Sequence, residues 1–281
     1  LSAHRAGRLH PLDTPASRAL VDEILKRADT VPDTLATLII EAAEGNPFYI
    51  EELVKMLVEE GVIIREAGEP AGERWRIVEH KIGVVAVPPT LTALLQARLD
   101  GPPREERDVL QRAAIVGRVI RDAAVAAQMN GEHPDATDPP AAGLIDEGTR
   151  LSAAAGDLDP VLASLARREL ITVRERPAFA GTREFSFRHN LLREVVYETV
   201  LIRHRKQYHA RVARWLELNS GARLAEYLGL IAEHYIQAGL DGRAAAYLER
   251  SGDAAQANGA YQLARAAFER ALTLRQGGND D

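Results

Sequence analysis

The residues able to do chemistry in this 281-residue chain are its eight histidines, its 41 acidic side chains and its 35 lysines and arginines, and their spacing limits what they can do. The histidines form no H-E-x-x-H pair and no other compact ligand spacing. His204 and His209 stand five apart among arginines, an environment that disfavours a bound cation. Cysteine is absent, which excludes disulfides and thiolate zinc sites. The acidic residues are scattered along helix faces, and no two form an acid–base pair. A phosphate-cradling G-x-x-x-x-G-K-[ST] loop, a G-x-G-x-x-G fingerprint and a G-x-S-x-G elbow are all missing from the sequence. We therefore read these residues as non-enzymatic and without a cofactor or metal of their own.

Two stretches remain. "RHRKQYHARVAR" carries Arg203, Arg205, Lys206, Arg211 and Arg214 on one helix, a set that could meet phosphates with Tyr208 and His209 stacking beside them. A solvated helix face, with Tyr208, Val212 and Trp215 turned inward, accounts for the same residues. The second stretch is Gly45-Asn46-Pro47 in "AEGNPFYIEELVKML". Locally it reads as a joint: Gly45 takes the positive φ that ends one helix, Asn46 caps the next, and Pro47 starts it.

The elements that must hold these residues are mainly helical. Apolar residues make up 46% and charged ones 27%, the balance of an ordinary globular protein, and no apolar run reaches the length of a bilayer span. The net charge of -6 gives no global attraction to nucleic acid. "LSAHRAGRLHPL" lacks the apolar core of a signal peptide, so a cytoplasmic location is the default. It also lacks Met and begins abruptly, and we expect a piece of a longer chain with a loose tail, "RQGGNDD".

Residues 13 to 60 read as three short helices. Thr14 is expected as the first cap and Asp33 or Thr34 as the second, and Ile50, Leu53, Val54 and Leu57 form the inward stripe of the third. Glu51 and Lys55 are expected as an exposed i, i+4 pair. "GVIIRE" and "WRIV" suggest a hairpin around "AGEPAGE". Helices follow in "VPPTLTALLQARLD" and "REERDVLQRAAIVG", then a loose loop over 129 to 157. "DLDPVLASLARRELI" resumes helix. A hairpin comes next, with strands near Leu170 to Arg174 and Glu184 to Phe187 and Gly181 in its turn. Helices followed by such a hairpin outline a winged helix; its helix is mostly apolar, with the basic Arg167 and Arg168 only at its end, which favours domain packing over DNA reading. "NLLREVVYETVL" is expected to run on as helix into "HRKQYHARVARWLEL". Three more helices close the chain. Ala232, Tyr235, Ala244 and Leu248, then Gly252, Ala264, Phe268 and Ala271, repeat a small–large pattern like that of tetratricopeptide helix pairs.

The ordered series "RLHPLD", "EGNPFYIEELVKMLVEEGVI", "WRI", "VPPTLTALLQARLD", "LQRAAIVGR", "LARRELI" and "FSFRHNLLREVVYETVLIRHRKQYHARVARWLE" resembles the C-terminal part of the STAND-type AAA-like ATPase module. That module occurs in multidomain bacterial adenylate/guanylate cyclases and large LuxR-type regulators. The resemblance covers nearly the whole chain, and departs at Gly101, where an apolar residue is usual, and at Ile120-Arg121, where a bulky aromatic pair is common. It implies a helical lid over residues 1–60, a winged-helix-like domain over 61–200, and the start of tetratricopeptide-like repeats over 201–281. Gly45, Asn46 and Pro47 would match a motif whose proline lies near the adenine or sugar of ATP or ADP. The P-loop core, which binds nucleotide with Mg, and an output domain would lie elsewhere in the parent chain, and the repeats would take a protein or small-molecule ligand.

The function expected from this resemblance is signal transduction: nucleotide in the core biases how the lid packs on the winged helix, and so whether the repeats engage a partner. The alternatives are a DNA-binding regulator acting through the winged helix or the 203–214 helix, and a protein-binding scaffold with no nucleotide dependence.

Overall fold

A computed structural model describes residues 10–66, 74–129, 158–179 and 181–277. The turn "AGEPAGE", most of the loop expected over 129–157 and the end of the tail lie outside the described residues. Mainly α structure with two small antiparallel sheets is what forms. Contacts divide the chain into two units, 1–101 and 102–281.

The first unit starts with α1 (Thr14–Ile24), α2 (Asp33–Ala43) and α3 (Pro47–Glu59). The cap of α1 is Asp13, whose carboxylate accepts from Ala16 N at 2.9 Å; Thr14, the expected cap, is the first helical residue. Neither Asp33 nor Thr34 caps α2, whose cap position is Pro32; Asp33 lies in the first turn and pairs instead with Arg18. Ile50, Leu53, Val54 and Leu57 are all buried, as the period predicts. Lys55 reaches Glu52, three residues back, at 2.8 Å.

The hairpin β1 (Ile63–Glu66) and β2 (Arg74–Ile77) pairs Ile63 with Ile77 and Arg65 with Trp75. A single turn, α4 (Glu79–Ile82), leads to α5 (Leu91–Asp100), capped by Thr90. Ile63, Trp75, Ile82 and Leu94 share one core with Val21, Leu35, Ile39 and Leu53. This core runs on through residue 60 into the hairpin and α5.

The second unit starts with α6 (Arg104–Val116), β3 (Val119–Arg121), α7 (Asp122–Met129) and α8 (Asp159–Arg167). β4 (Ile171–Arg174) and β5 (Glu184–Phe187) form the expected hairpin, with Gly181 at φ 75° between them. β3, which the sequence reading lacked, pairs with β5, and the sheet order is β3-β5-β4. Ile120 is buried, and Arg121 is held against Glu184 at 3.1 Å.

The helix expected to run on from "NLLREVVYETVL" instead breaks. α9 (Asn190–Thr199) ends at Val200, whose backbone is extended and whose side chain is buried, and α10 (Ile202–Asn219) starts afresh. α11 (Leu224–Ala238), α12 (Asp241–Ala257) and α13 (Tyr261–Gly277) then pack in succession. Gly239 closes α11 at φ 75°, donating to Ile236 O while Leu240 N reaches Tyr235 O. Ala232, Tyr235, Ala244, Leu248, Ala264 and Ala271 are buried, and the Phe268 ring covers the bare backbone of Gly252.

Glu52 is 1% and the Arg98 side chain 8% exposed, so removing Glu52 takes away the carboxylate that Arg98 meets inside the first unit. Glu52→Ala is expected to cost that unit about 3 kcal/mol, and the Glu52→Ala/Arg98→Met double variant to recover part of the loss. Urea unfolding followed by Trp75 fluorescence in a Trp215→Phe background measures both.

Candidate functional site

Gly45-Asn46-Pro47 lies where α2 hands over to α3. Two successive left-handed residues turn the chain: Glu44 at φ 49° and Gly45 at φ 76°. Gly45 is required here on two grounds. Its φ disfavours a side chain, and a Cβ would come 2.2 Å from the carbonyl oxygen of Leu12. Leu12 N donates to Gly45 O at 2.8 Å, so the "RLHPLD" segment is tied to the joint by its backbone. The Asn46 side chain accepts from Phe48 N at 3.1 Å and Tyr49 N at 3.3 Å, the geometry of a helix cap. Pro47, at the first helical position, is exposed beside the half-buried Phe48.

The inner side of α3 extends these ties. The Tyr49 hydroxyl donates to Pro88 O, ahead of α5. Burial pushes the Tyr49 phenol above its ordinary pKa, with the Glu44 charge adding to the effect, so it stays a donor. One turn on, Glu52 accepts from Lys55 at 2.8 Å and also from Arg98 of α5, which is itself buried. Sequence reasoning missed Glu52; the signal was its position between Tyr49 and Met56 on a face that is otherwise apolar.

The amides of the first turn of α3 that would meet an anion are already engaged by Asn46, and the Gly45 carbonyl by Leu12. Glu44, Asn46 and Pro47 are exposed at the joint.

The basic residues of α10 do not form one patch. Arg205 caps α9: its guanidinium donates to Val200 O at 2.7 Å and to Glu198 O at 2.9 Å, and lies 4.6 Å over the Tyr197 ring. Arg211 donates to Gln128 O at 2.6 Å, at the end of α7, and burial holds its pKa below the ordinary value. Arg214 pairs with Glu217 at 3.2 Å. Arg203 and Lys206 are exposed, with Arg203 turned to His204 at 3.3 Å. Val212 and Trp215 are buried and Tyr208 is half-buried under Arg112. On α8, Ser164 donates to Glu106 at 2.8 Å and Arg168 reaches the same carboxylate at 3.0 Å, while Arg167 is exposed.

The buried face of α10 carries the feature that the sequence reading did not reach. His209 Nδ1 lies 2.8 Å from His234 Nδ1 of α11, and His209 Nε2 lies 3.1 Å from the Tyr197 hydroxyl. Both imidazoles are buried. Burial lowers the His209 pKa to about 4, with Glu233 opposing and Arg193 and Arg205 assisting. His234 falls to about 3, chiefly by burial and then by the charge of His209 and Arg121. Both are neutral at neutral pH. The available signal was helical period: His209 shares the inward face of Val212, Ala213 and Leu216, and His234 that of Ile231 and Tyr235.

Among the described residues no three His, Cys, Asp or Glu side chains come together as a metal site, and no helix is long and apolar enough to cross a membrane. The sequence of one family, described as a domain of unknown function (DUF8739), matches residues 14–71, which span α1 to α3 and β1. No curated protein matches the chain.

Gly45→Ala is expected to destabilise the first unit by about 2 kcal/mol or more, since the clash is with backbone. Asn46→Ala is expected to cost about 1 kcal/mol, the ordinary worth of such a cap. Both are measured by urea unfolding on the Trp75 signal.

Proposed function

We propose that the chain is the relay segment of a nucleotide-switched regulator of the STAND type. In this reading residues 1–60 are the helical lid, residues 61–200 a winged-helix-like domain, and residues 201–281 the start of tetratricopeptide-like repeats. The nucleotide core, with its phosphate loop and Mg, and the output domain are supplied by residues outside these 281.

One observation carries the reading. Two motifs of the resembling series meet the α2–α3 segment: "RLHPLD" through Leu12 and Gly45, and "VPPTLTALLQARLD" through Pro88 with Tyr49 and through Arg98 with Glu52. These contacts hold the first unit together around "GNPFYIEEL", in which Pro47 is exposed. The second unit adds support. Among the described residues its order of helix, strand, two helices and two strands, with the first strand pairing to the last, is compatible with a winged helix. The small residues under Tyr235 and Phe268 support the repeat reading.

Mechanistically, Pro47 and Phe48 would cover one face of the adenine or ribose, and the phosphates would be held by the other core. Nucleotide exchange would then be sensed at the α2–α3 joint, which Leu12 and Asn46 make rigid, and passed to the repeats, where a protein or small ligand is received. The test is nucleotide affinity in the full-length protein. Pro47→Ala is expected to weaken ATP or ADP binding by about tenfold, equivalent to ~1.4 kcal/mol. An affinity unchanged by the substitution overturns the assignment of the joint.

A further inference from the structure

The contact between α10 and α11 contains two buried imidazoles facing each other through their Nδ1 atoms at 2.8 Å. That gap holds one proton. In the neutral pair one Nδ1–H donates to the lone pair of the other Nδ1, and either direction is compatible with the Tyr197 hydroxyl at His209 Nε2, which can donate or accept. His234 Nε2 is buried with no partner in either arrangement. A first added proton places a charge in this interior. A second puts two N–H groups nose to nose and removes the hydrogen bond.

The surroundings do not offset such charge. From α9 come Arg193 and Tyr197, from α10 itself Arg205, and from β3 Arg121, all cationic or neutral. On the α6 and α7 sides of α10, Arg112 lies over Tyr208 and Arg211 donates to Gln128 O. On the α12 side of α11, Arg243 lies over Tyr235. Among the described residues the carboxylate acting on the pair is Glu233, and it is engaged by Arg270 at 3.0 Å and by Gln237 at 3.3 Å.

We propose that the His209–His234 pair is an acid-released latch, in which uptake of two protons separates α11, and the helices that follow it, from α9 and α10. The direction follows from linkage. Each imidazole binds its proton near the ordinary value of 6.5 once the contact opens and hydrates it, but only at about 4 or about 3 while the contact is closed. The closed state is therefore fully favoured above pH 6.5 and loses ground as pH falls below it. With two protons taken up, the opening constant rises by up to about 100-fold per pH unit in the range from about 6 down to about 4.5. The depressed carboxylates Glu226, Glu233 and Glu249 titrate below that window.

Amide hydrogen exchange on the 281-residue chain at pH 7, 6 and 5, corrected for intrinsic rates, tests this. The expected result is a steep rise in opening of the α10–α11 amides on acidification, with α2 and α3 of the first unit unchanged. In the His209→Gln/His234→Gln variant the rise is lost. Should that variant not fold, proton NMR of the unmodified chain decides. The ring resonances in contact with Tyr197 stay neutral down to about pH 4.5 in the closed state. An opening constant that does not change with pH, or ring resonances that titrate near 6.5 while the contact is closed, overturns the proposal.

Discussion

Helix α3 carries a carboxylate into an apolar interior, and much of the first unit is arranged around that fact. Glu52 loses its water on folding, a cost of several kcal/mol that only a close cation offsets. Arg98 supplies it from α5, and Lys55 adds a second donor from the same helix. The pair joins α3 to α5 inside the first unit, and a buried ion pair of this kind adds little net stability over an apolar pair of similar volume. Around it, Tyr49 comes under Pro88, the hairpin closes over Ile63 and Trp75, and the α2–α3 joint is held against Leu12.

In the second unit arginine serves a related purpose. Arg121 is buried against Glu184, 5.1 Å from the Phe179 ring and 5.7 Å from Tyr227, so where the resembling family commonly has an aromatic pair a guanidinium lies on aromatics from elsewhere. Phe179 in turn stacks edge-on to Trp215, which ties the sheet to α10. Arg205 and Arg211 close the ends of α9 and α7 by reaching back from α10. A sequence that reads as a basic stripe is in good part a set of internal braces, and this removes two of its five cations from any phosphate.

Features legible in the sequence were those decided by neighbours a few residues apart. The stripe of Ile50, Leu53, Val54 and Leu57, the Asn46 cap, and the Leu170–Phe187 hairpin with its Gly181 turn depend on local periodicity and turn chemistry, and they were readable. The features that escaped depend on distant partners. β3 is three residues long and exists because β5 lies beside it. The break at Val200 has neither Gly nor Pro; it needs the burial of Val200 and the reach of Arg205. Glu52 with Arg98, and His209 with His234, are polar residues on apolar faces whose partners sit on other helices, which one-dimensional spacing does not reveal. At the cap of α1 the shift is one residue, because Asp13 offers a better acceptor than Thr14.

The central claim is that the α2–α3 joint forms one side of a nucleotide site in the full-length protein. Photolabelling of that protein with 8-azido-ATP, followed by peptide mapping, addresses it directly, since the azide reports what touches the adenine. The account predicts saturable labelling, blocked by ATP, on the peptide containing Asn46, Pro47 and Phe48. Saturable labelling confined to other peptides, or no saturable labelling, would contradict it.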